Sequence, residues 1–213
     1  MNTLIVHAHP DPESFGAALA RAYADGFSEV SSWEAPRRGT GEADSVPLPP
    51  AGVREIVLTE ERFDPVLRLG YRERMPADEV ISRSQEALLW ADHIVIITPI
   101  WWASFPALLH GWFERVLAPG FAYNLRGIRS VKHLGGRRAT LVATSYAPGF
   151  YTRLIPNAPA RLLRAHILGI CGIKLRRSFI LGSMGTPRDT AERRARFLAR
   201  VRAAGQAAGR REP

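Results

Sequence analysis

A single cysteine, Cys171, stands among 213 residues, so neither a disulfide nor a thiolate metal site can be built from this chain. It lies in the apolar run Ile167-Leu-Gly-Ile-Cys-Gly-Ile173 and reads as a small buried hydrophobe. Long hydrophobic runs are missing as well. Nothing approaches the roughly 20 apolar residues of a membrane span, and the opening MNTLIVHAHP lacks the basic region and cleavage site of a signal peptide, so the expected address is cytoplasmic. Neither the glycine-rich dinucleotide fingerprint nor the Walker phosphate loop occurs, which disfavours a nucleotide bound in those ways. No Ser-His-Asp arrangement has recognisable spacing. His7 and His9 alternate on one segment, but two imidazoles without paired carboxylates fall short of a metal site, and none is expected. Acidic side chains are outnumbered, 20 against 29 basic ones, leaving a formal charge of +9 that favours anionic partners. The basic stretch from Arg126 to Arg138 and the arginines Arg193, Arg194, Arg196, Arg200 and Arg202 lack interleaved aromatics for base stacking. They read as a solvated face or an attraction for a cofactor phosphate, with no nucleic-acid partner.

What is present is an alternation of strands and helices. Five short apolar runs read as buried strands: Thr3 to Ala8, Arg54 to Thr59, His93 to Thr98, Ala139 to Thr144 and Leu175 to Leu181. Between them, apolar residues recur at helical spacing from Phe15 to Phe27, from about Ser82 to Trp90, from Leu108 to Leu117, from Ala160 to Gly172, and from Thr190 to about Ala208. His93 and His110 are expected at a strand edge and on a helix surface. The composition turns abruptly to Pro, Gly and charge between 35 and 52, which predicts a surface insertion within a single domain spanning 1–213. Continuous apolar strands, rather than period-two ones, predict an α/β protein with a parallel sheet covered on both faces. Five strands suit a flavodoxin-like three-layer sandwich of order 2-1-3-4-5.

In such sheets ligands sit beyond the carboxyl ends of the strands, where the strand order reverses. Three loops are therefore of interest. The first, His9-Pro-Asp-Pro-Glu-Ser-Phe15, feeds a helix N-terminus that favours a phosphate, with Ser14 and His9 as donors. A plainer alternative makes Ser14 a helix cap, and Asp11 and Glu13 count against an anion unless they point outward. The second, Pro99-Ile-Trp-Trp-Ala-Ser-Phe-Pro106, sets two indoles directly after a buried strand and invites a planar aromatic ligand; a satellite hydrophobic cluster or dimer patch is the alternative. The third, Thr144-Ser-Tyr-Ala-Pro-Gly149, offers hydroxyls and backbone donors, or is an ordinary turn.

Taken together, the run from Pro99 to Val116, followed by Gly120-Phe-Ala-Tyr123, resembles the flavodoxin-fold NAD(P)H:quinone oxidoreductases, including the flavin-binding ancillary subunits of potassium-efflux systems. The opening Leu4-Ile-Val-His-Ala-His-Pro10 with Ser14-Phe15, the Phe63-Asp-Pro-Val66 element and Cys171-Gly172 match in order. The resemblance implies a flavin, FAD or alternatively FMN, with NAD(P)H as co-substrate and a quinone-like acceptor. It implies that His9, Ser14, Phe15 and Gly16 hold the phosphate-bearing tail, although the family often has Asn where Gly16 stands. Pro99, Ile100, Trp101, Trp102 and Ala103 would hold the ring, and Thr144, Ser145, Tyr146 and Gly149 would stabilise its reduced form. Trp102, Phe105, Tyr123 and Tyr151 would form the substrate pocket, with Tyr123 supplied by the second subunit of a homodimer and Tyr151 as the candidate catalytic side chain. The fourth-strand loop departs from the family's Thr-Thr-Gly-Gly, and no counterpart of the family's active-site His is evident, His166 lying too far along. Two other readings stay open: a regulatory flavoprotein attached to a membrane transporter, and a flavin-free binding module on the same scaffold.

Overall fold

The computed structural model describes residues 1–9, 11, 13–30, 52–73, 75–154 and 159–210. The predicted insertion lies, from 35 to 51, outside the described residues.

Strand β1 (Thr3–His7) pairs in parallel with β2 (Val53–Val57) on one side and with β3 (His93–Ile100) on the other. Beyond β3 come β6 (Arg138–Ser145) and β7 (Lys174–Leu181), so the five parallel strands run β2-β1-β3-β6-β7. This is the predicted order, and the chain reverses direction across the sheet between β1 and β3. Every residue of β1 and β3 is buried, because helices cover both faces and leave no solvated side that would impose alternation. Leu4, Val6, Ile94 and Ile96 face one core with Leu109 and Trp112 of α3 (Ala107–Val116). Ile5, Val95 and Ile97 face the other, against Tyr23 and Phe27 of α1 (Phe15–Ser28) and Val201 of α7 (Ala191–Gly209). Trp112 is 1% exposed, and its Nε1 donates to Ser84 Oγ at 3.1 Å. Burying a large side chain of this kind is worth roughly 2–3 kcal/mol only if its polar tip is satisfied in this way.

Five expectations need correction. β3 does not stop at Pro99 but continues to Ile100, pairing Pro99 with Thr144 and Ile100 with Ser145. Helix α2 (Glu79–Trp90) starts ahead of Ser82 because the Asp78 carboxylate caps it, accepting from the N–H groups of Val80 and Ile81 at 2.9 and 3.3 Å. The stretch after α3, expected as a loop, holds an antiparallel hairpin of β4 (Tyr123–Arg126) and β5 (Arg129–Lys132), turned at Gly127 with φ 60°. The turn-rich segment after β6 contains the short α4 (Gly149–Leu154). The helix expected from Ala160 is found as α5 (Pro159–Leu162), a π-helical turn (Leu163–Ile167) and α6 (Leu168–Cys171). It ends at Gly172, whose φ of 95° lets the N–H of Ile173 reach back to Leu168 O at 3.0 Å. Cys171 is buried, with a pKa pushed up to about 11 by that burial. Among the described residues no helix is long and apolar enough to cross a membrane.

Candidate functional site

The carboxyl ends of β1, β3 and β6 lie side by side, which brings the three loops together. Ser14 is the N-cap of α1, its Oγ accepting from Ala17 N at 3.2 Å. The N–H groups of Phe15 and Gly16 take no intramolecular partner among the described residues. Those orphan donors and the helix dipole make this end of α1 receptive to an anion. Both Asp11 and Glu13 are exposed, and the Asp11 carboxylate is already engaged by Glu13 N at 2.8 Å. Arg194 extends from α7 with its guanidinium carbon 5.4 Å from the Phe15 ring centroid, held by two contacts to Asp189 at 2.6 and 2.9 Å. The Asp189 carboxyl is drawn down to about 2, first by Arg194 and then by the N–H of Gly185.

The second loop is a tight turn. Trp101 and Ser104 exchange both backbone hydrogen bonds, at 3.1 and 2.8 Å, and the two residues between them, Trp102 and Ala103, have φ of 52° and 56°. Positive φ at both central positions is the type I′ geometry that favours Asn and Gly. For side chains with a Cβ it costs about 1–2 kcal/mol per residue. The turn leaves Trp102 fully exposed and Trp101 45% exposed, and it aims the N–H groups of Trp102 and Ala103 away from the chain's own hydrogen bonds. His110, expected on a helix surface, is half-buried and hydrogen-bonds Ser104 Oγ at 2.8 Å, so the first turn of α3 anchors the strained turn. His93 is buried and bonds Thr140 Oγ1 at 3.0 Å rather than lying open at a strand edge. The His9 and Trp101 rings meet edge to face with centroids 6.4 Å apart, joining the first loop to the second.

A cleft of about 790 Å³ runs along this end, bounded by Trp101, Trp102, Phe105, His110 and Glu114 with Val66 opposite. Phe105 is only 4% exposed and forms its floor, its ring 6.1 Å from that of Phe113. The segment carrying Val66 can approach because Gly111 has no side chain: a Cβ there would stand 2.4 Å from Pro65 O. Tyr123 does not line this cleft. It lies half-buried in a neighbouring cavity of about 290 Å³ with Tyr71, His110, His166 and Cys171. Burial raises the pKa of Tyr123 and takes that of Tyr71 up to about 12, so both phenols stay protonated.

The third loop is partly committed elsewhere. Ser145 Oγ accepts from Ala147 N at 3.1 Å, while the carbonyls of Ala147 and Ser145 accept from Ser183 and Met184, each at 3.0 Å. Thr144 is bound into the sheet between Pro99 and Leu181. That leaves the N–H of Tyr146 without a hydrogen bond among the described residues, and the residue 75% exposed. Gly149 opens α4, on which Tyr151 is 53% exposed. Sequence reasoning gave His110 and His7 no place in the site; the one available signal for His7 was a polar residue inside an otherwise apolar strand.

An open parallel sheet with a receptive helix end, an indole-bearing strained turn and a cleft at its switch point defines a doubly wound α/β protein with a candidate site for a planar, phosphate-bearing ligand. The chain belongs to the flavodoxin-like fold family, whose profile matches residues 46–204. It is 29% identical over 183 residues to ribosyldihydronicotinamide dehydrogenase (quinone) of Homo sapiens, covering 81% of this chain and 77% of that protein. The NAD(P)H:quinone oxidoreductase of Methanothermobacter marburgensis superposes with a TM-score of 0.73 at 24% identity, over 100% of this chain and 99% of that one. The FMN-dependent NADH-azoreductase of Bacillus anthracis, solved with FMN, superposes at 0.72 and 17% identity, over 98% and 100%.

Proposed function

We propose that the protein is a flavin-dependent oxidoreductase that passes hydride from NAD(P)H to quinone-type acceptors. The observation that carries this reading is the strained Trp101–Ser104 turn, held against the phosphate-receptive end of α1 and presenting free backbone donors beside an exposed indole. Local strain of this kind persists at sites where the surroundings over-determine it. The human relative's name adds dihydronicotinamide and quinone chemistry to that geometry.

The described residues fit a flavin. A cradle under Gly16 lies between a buried, unpaired imidazole nitrogen and Ser14 Oγ, and the turn offers the irregular backbone that a pyrimidine edge requires. The bound flavin, FAD in this reading with FMN as the alternative, supplies the hydride chemistry that no side chain here can perform. His9, Ser14, Phe15 and Gly16 hold the tail. Pro99 and Ile100, rigid in β3, carry the turn in which Trp101, Trp102 and Ala103 hold the ring, and Trp102 faces the acceptor over the floor made by Phe105. Thr144, Ser145 and Gly149 would support the Tyr146 N–H as a donor at the ring's edge, and Tyr151 would add a phenolic hydrogen-bond donor there. Tyr123 reaches the site from a second copy, so the enzyme is a homodimer with its pocket at the interface. The chain is a single cytoplasmic domain spanning 1–213, with the 35–52 segment as an insertion.

The test is direct. Purified full-length protein should be yellow, release FAD or FMN on denaturation, and oxidise NAD(P)H rapidly only when quinone is added. Colourless protein that takes up neither flavin on titration overturns the assignment. The commitment of Ser145 and Ala147 to the 182–184 loop favours, as a second reading, a regulatory flavoprotein with slow turnover.

A further inference from the structure

His7 closes β1 with only 2% of its surface exposed, and its Nε2 is buried without a hydrogen bond. Leaving such an atom unpaired is costly, because it has given up water without gaining a partner. The point where a Cβ on Gly16 would stand is 3.0 Å from that nitrogen and 3.3 Å from Ser14 Oγ. The absent side chain thus leaves a gap under the first turn of α1 on which a ring nitrogen and a hydroxyl converge, next to the unpaired N–H groups of Phe15 and Gly16.

Resting on the flavin reading above, we propose that His7 is a further cofactor-binding residue, whose Nε2 donates to a phosphate oxygen of the flavin tail through the gap left by Gly16. Several features of the surroundings suit this role. Burial, then His9 and Arg21, lower the His7 pKa to about 4, so the free protein presents a neutral ring with one N–H. Those two are the charged or titratable groups that act on it from the loop and from α1; its register partners on the flanking strands, Val57 and Ile97, carry no charge. An anion in the gap favours the imidazolium form and raises that pKa. Binding of the phosphorylated flavin is then linked to partial proton uptake, and affinity rises as pH falls.

Titration of the apo-protein with riboflavin, FMN and FAD, followed by flavin fluorescence, tests this. Replacing His7→Phe should weaken FMN and FAD by about ten- to hundredfold, the worth of a charge-assisted hydrogen bond, while leaving riboflavin, which has no phosphate, within about twofold. Gly16→Ala, which closes the gap with a residue that helices tolerate well, should reproduce the selective loss even if His7→Phe fails to fold. With FAD, whose pyrophosphate does not itself titrate near neutrality, wild-type affinity should tighten toward acid pH and that of the variants should not. Equal losses for riboflavin and FMN, or unchanged FMN affinity, overturn the role of His7 while leaving the flavin reading intact. A wild-type protein that binds none of the three overturns both.

Discussion

Acidification should destabilise the apo-protein through His7 alone by an amount the structure sets. The folded chain holds this imidazole near pKa 4 against an ordinary value of 6.5, with burial as the chief cause. Because the folded pKa of a base is depressed, the unfolded chain binds more protons between the two values, so stability is fully present above the unfolded pKa and is lost as pH falls toward the folded one. Between about pH 7 and about pH 5 the linkage relation gives a loss of about 2 kcal/mol, or a fall in Tm of roughly 4–8 °C for a domain of this size. Thermal and urea unfolding of wild-type and His7→Phe apo-protein across that range provides the assay, with the variant reporting every other titrating group. The difference between the two slopes is the His7 contribution. Parallel pH profiles would refute the reasoning, since they would mean that His7 gains a proton as easily in the fold as in water.

Two substitutions test the packing and strain of the site. Ala103→Gly should raise the apo-protein's stability by about 0.5–1 kcal/mol, because glycine adopts the positive φ without the Cβ penalty while giving back some unfolded-state entropy; a lowered Tm would show that the turn is not strained. Gly111→Ala should cost about 1–3 kcal/mol as overpacking against Pro65, read by urea unfolding, and a neutral result would mean that α3 and the segment before it separate freely.

The parts of the fold legible in the sequence are those where burial on two faces leaves a simple signature. β1 and β3 are apolar at nearly every position and were readable for that reason. The β4–β5 hairpin escaped because its strands have four residues each and carry exposed Leu125 and Val131 beside Arg126 and Arg129, a pattern shared with loops. Pro99 suggested a stop, yet a proline near the end of a strand can forgo its donor without breaking the pairing that β6 continues. Asp78 was an available cap for α2, standing two residues before the buried pair Val80 and Ile81 that opens the helix's apolar face. For the site, the sequence located the loops through topology, whereas the partners within it depend on distances. The Ser104–His110 bond spans six positions across a turn and a helix start, and the orphan nitrogen of His7 has meaning only once Gly16 is known to lie above it.

The residues with strained backbone share one end of the sheet. Trp102, Ala103 and Ser183 are the non-glycine residues with positive φ among those described, and all three follow the carboxyl ends of strands, the end of β1 that His7 occupies. At the opposite end most polar groups are satisfied: Asn2 N donates to Asp92 Oδ2 at 2.8 Å, Asn2 Nδ2 to Trp90 O at 3.0 Å, and His93 meets Thr140, whereas Thr3 Oγ1 is buried without a partner. Conformational costs of about 1–3 kcal/mol per strained residue are a large share of a net stability of roughly 5–15 kcal/mol. They therefore need local restraints, which the Ser104–His110 bond and the Ser183–Ala147 bond supply. A ligand that takes up the free donors of the strained turn and the unpaired nitrogen under α1 recovers part of those costs on binding. The same residues that weaken the empty fold thus make the occupied one selectively stable, which is why flavin binding and apo-stability should respond in opposite directions to Ala103→Gly and, in acid, to the presence of His7.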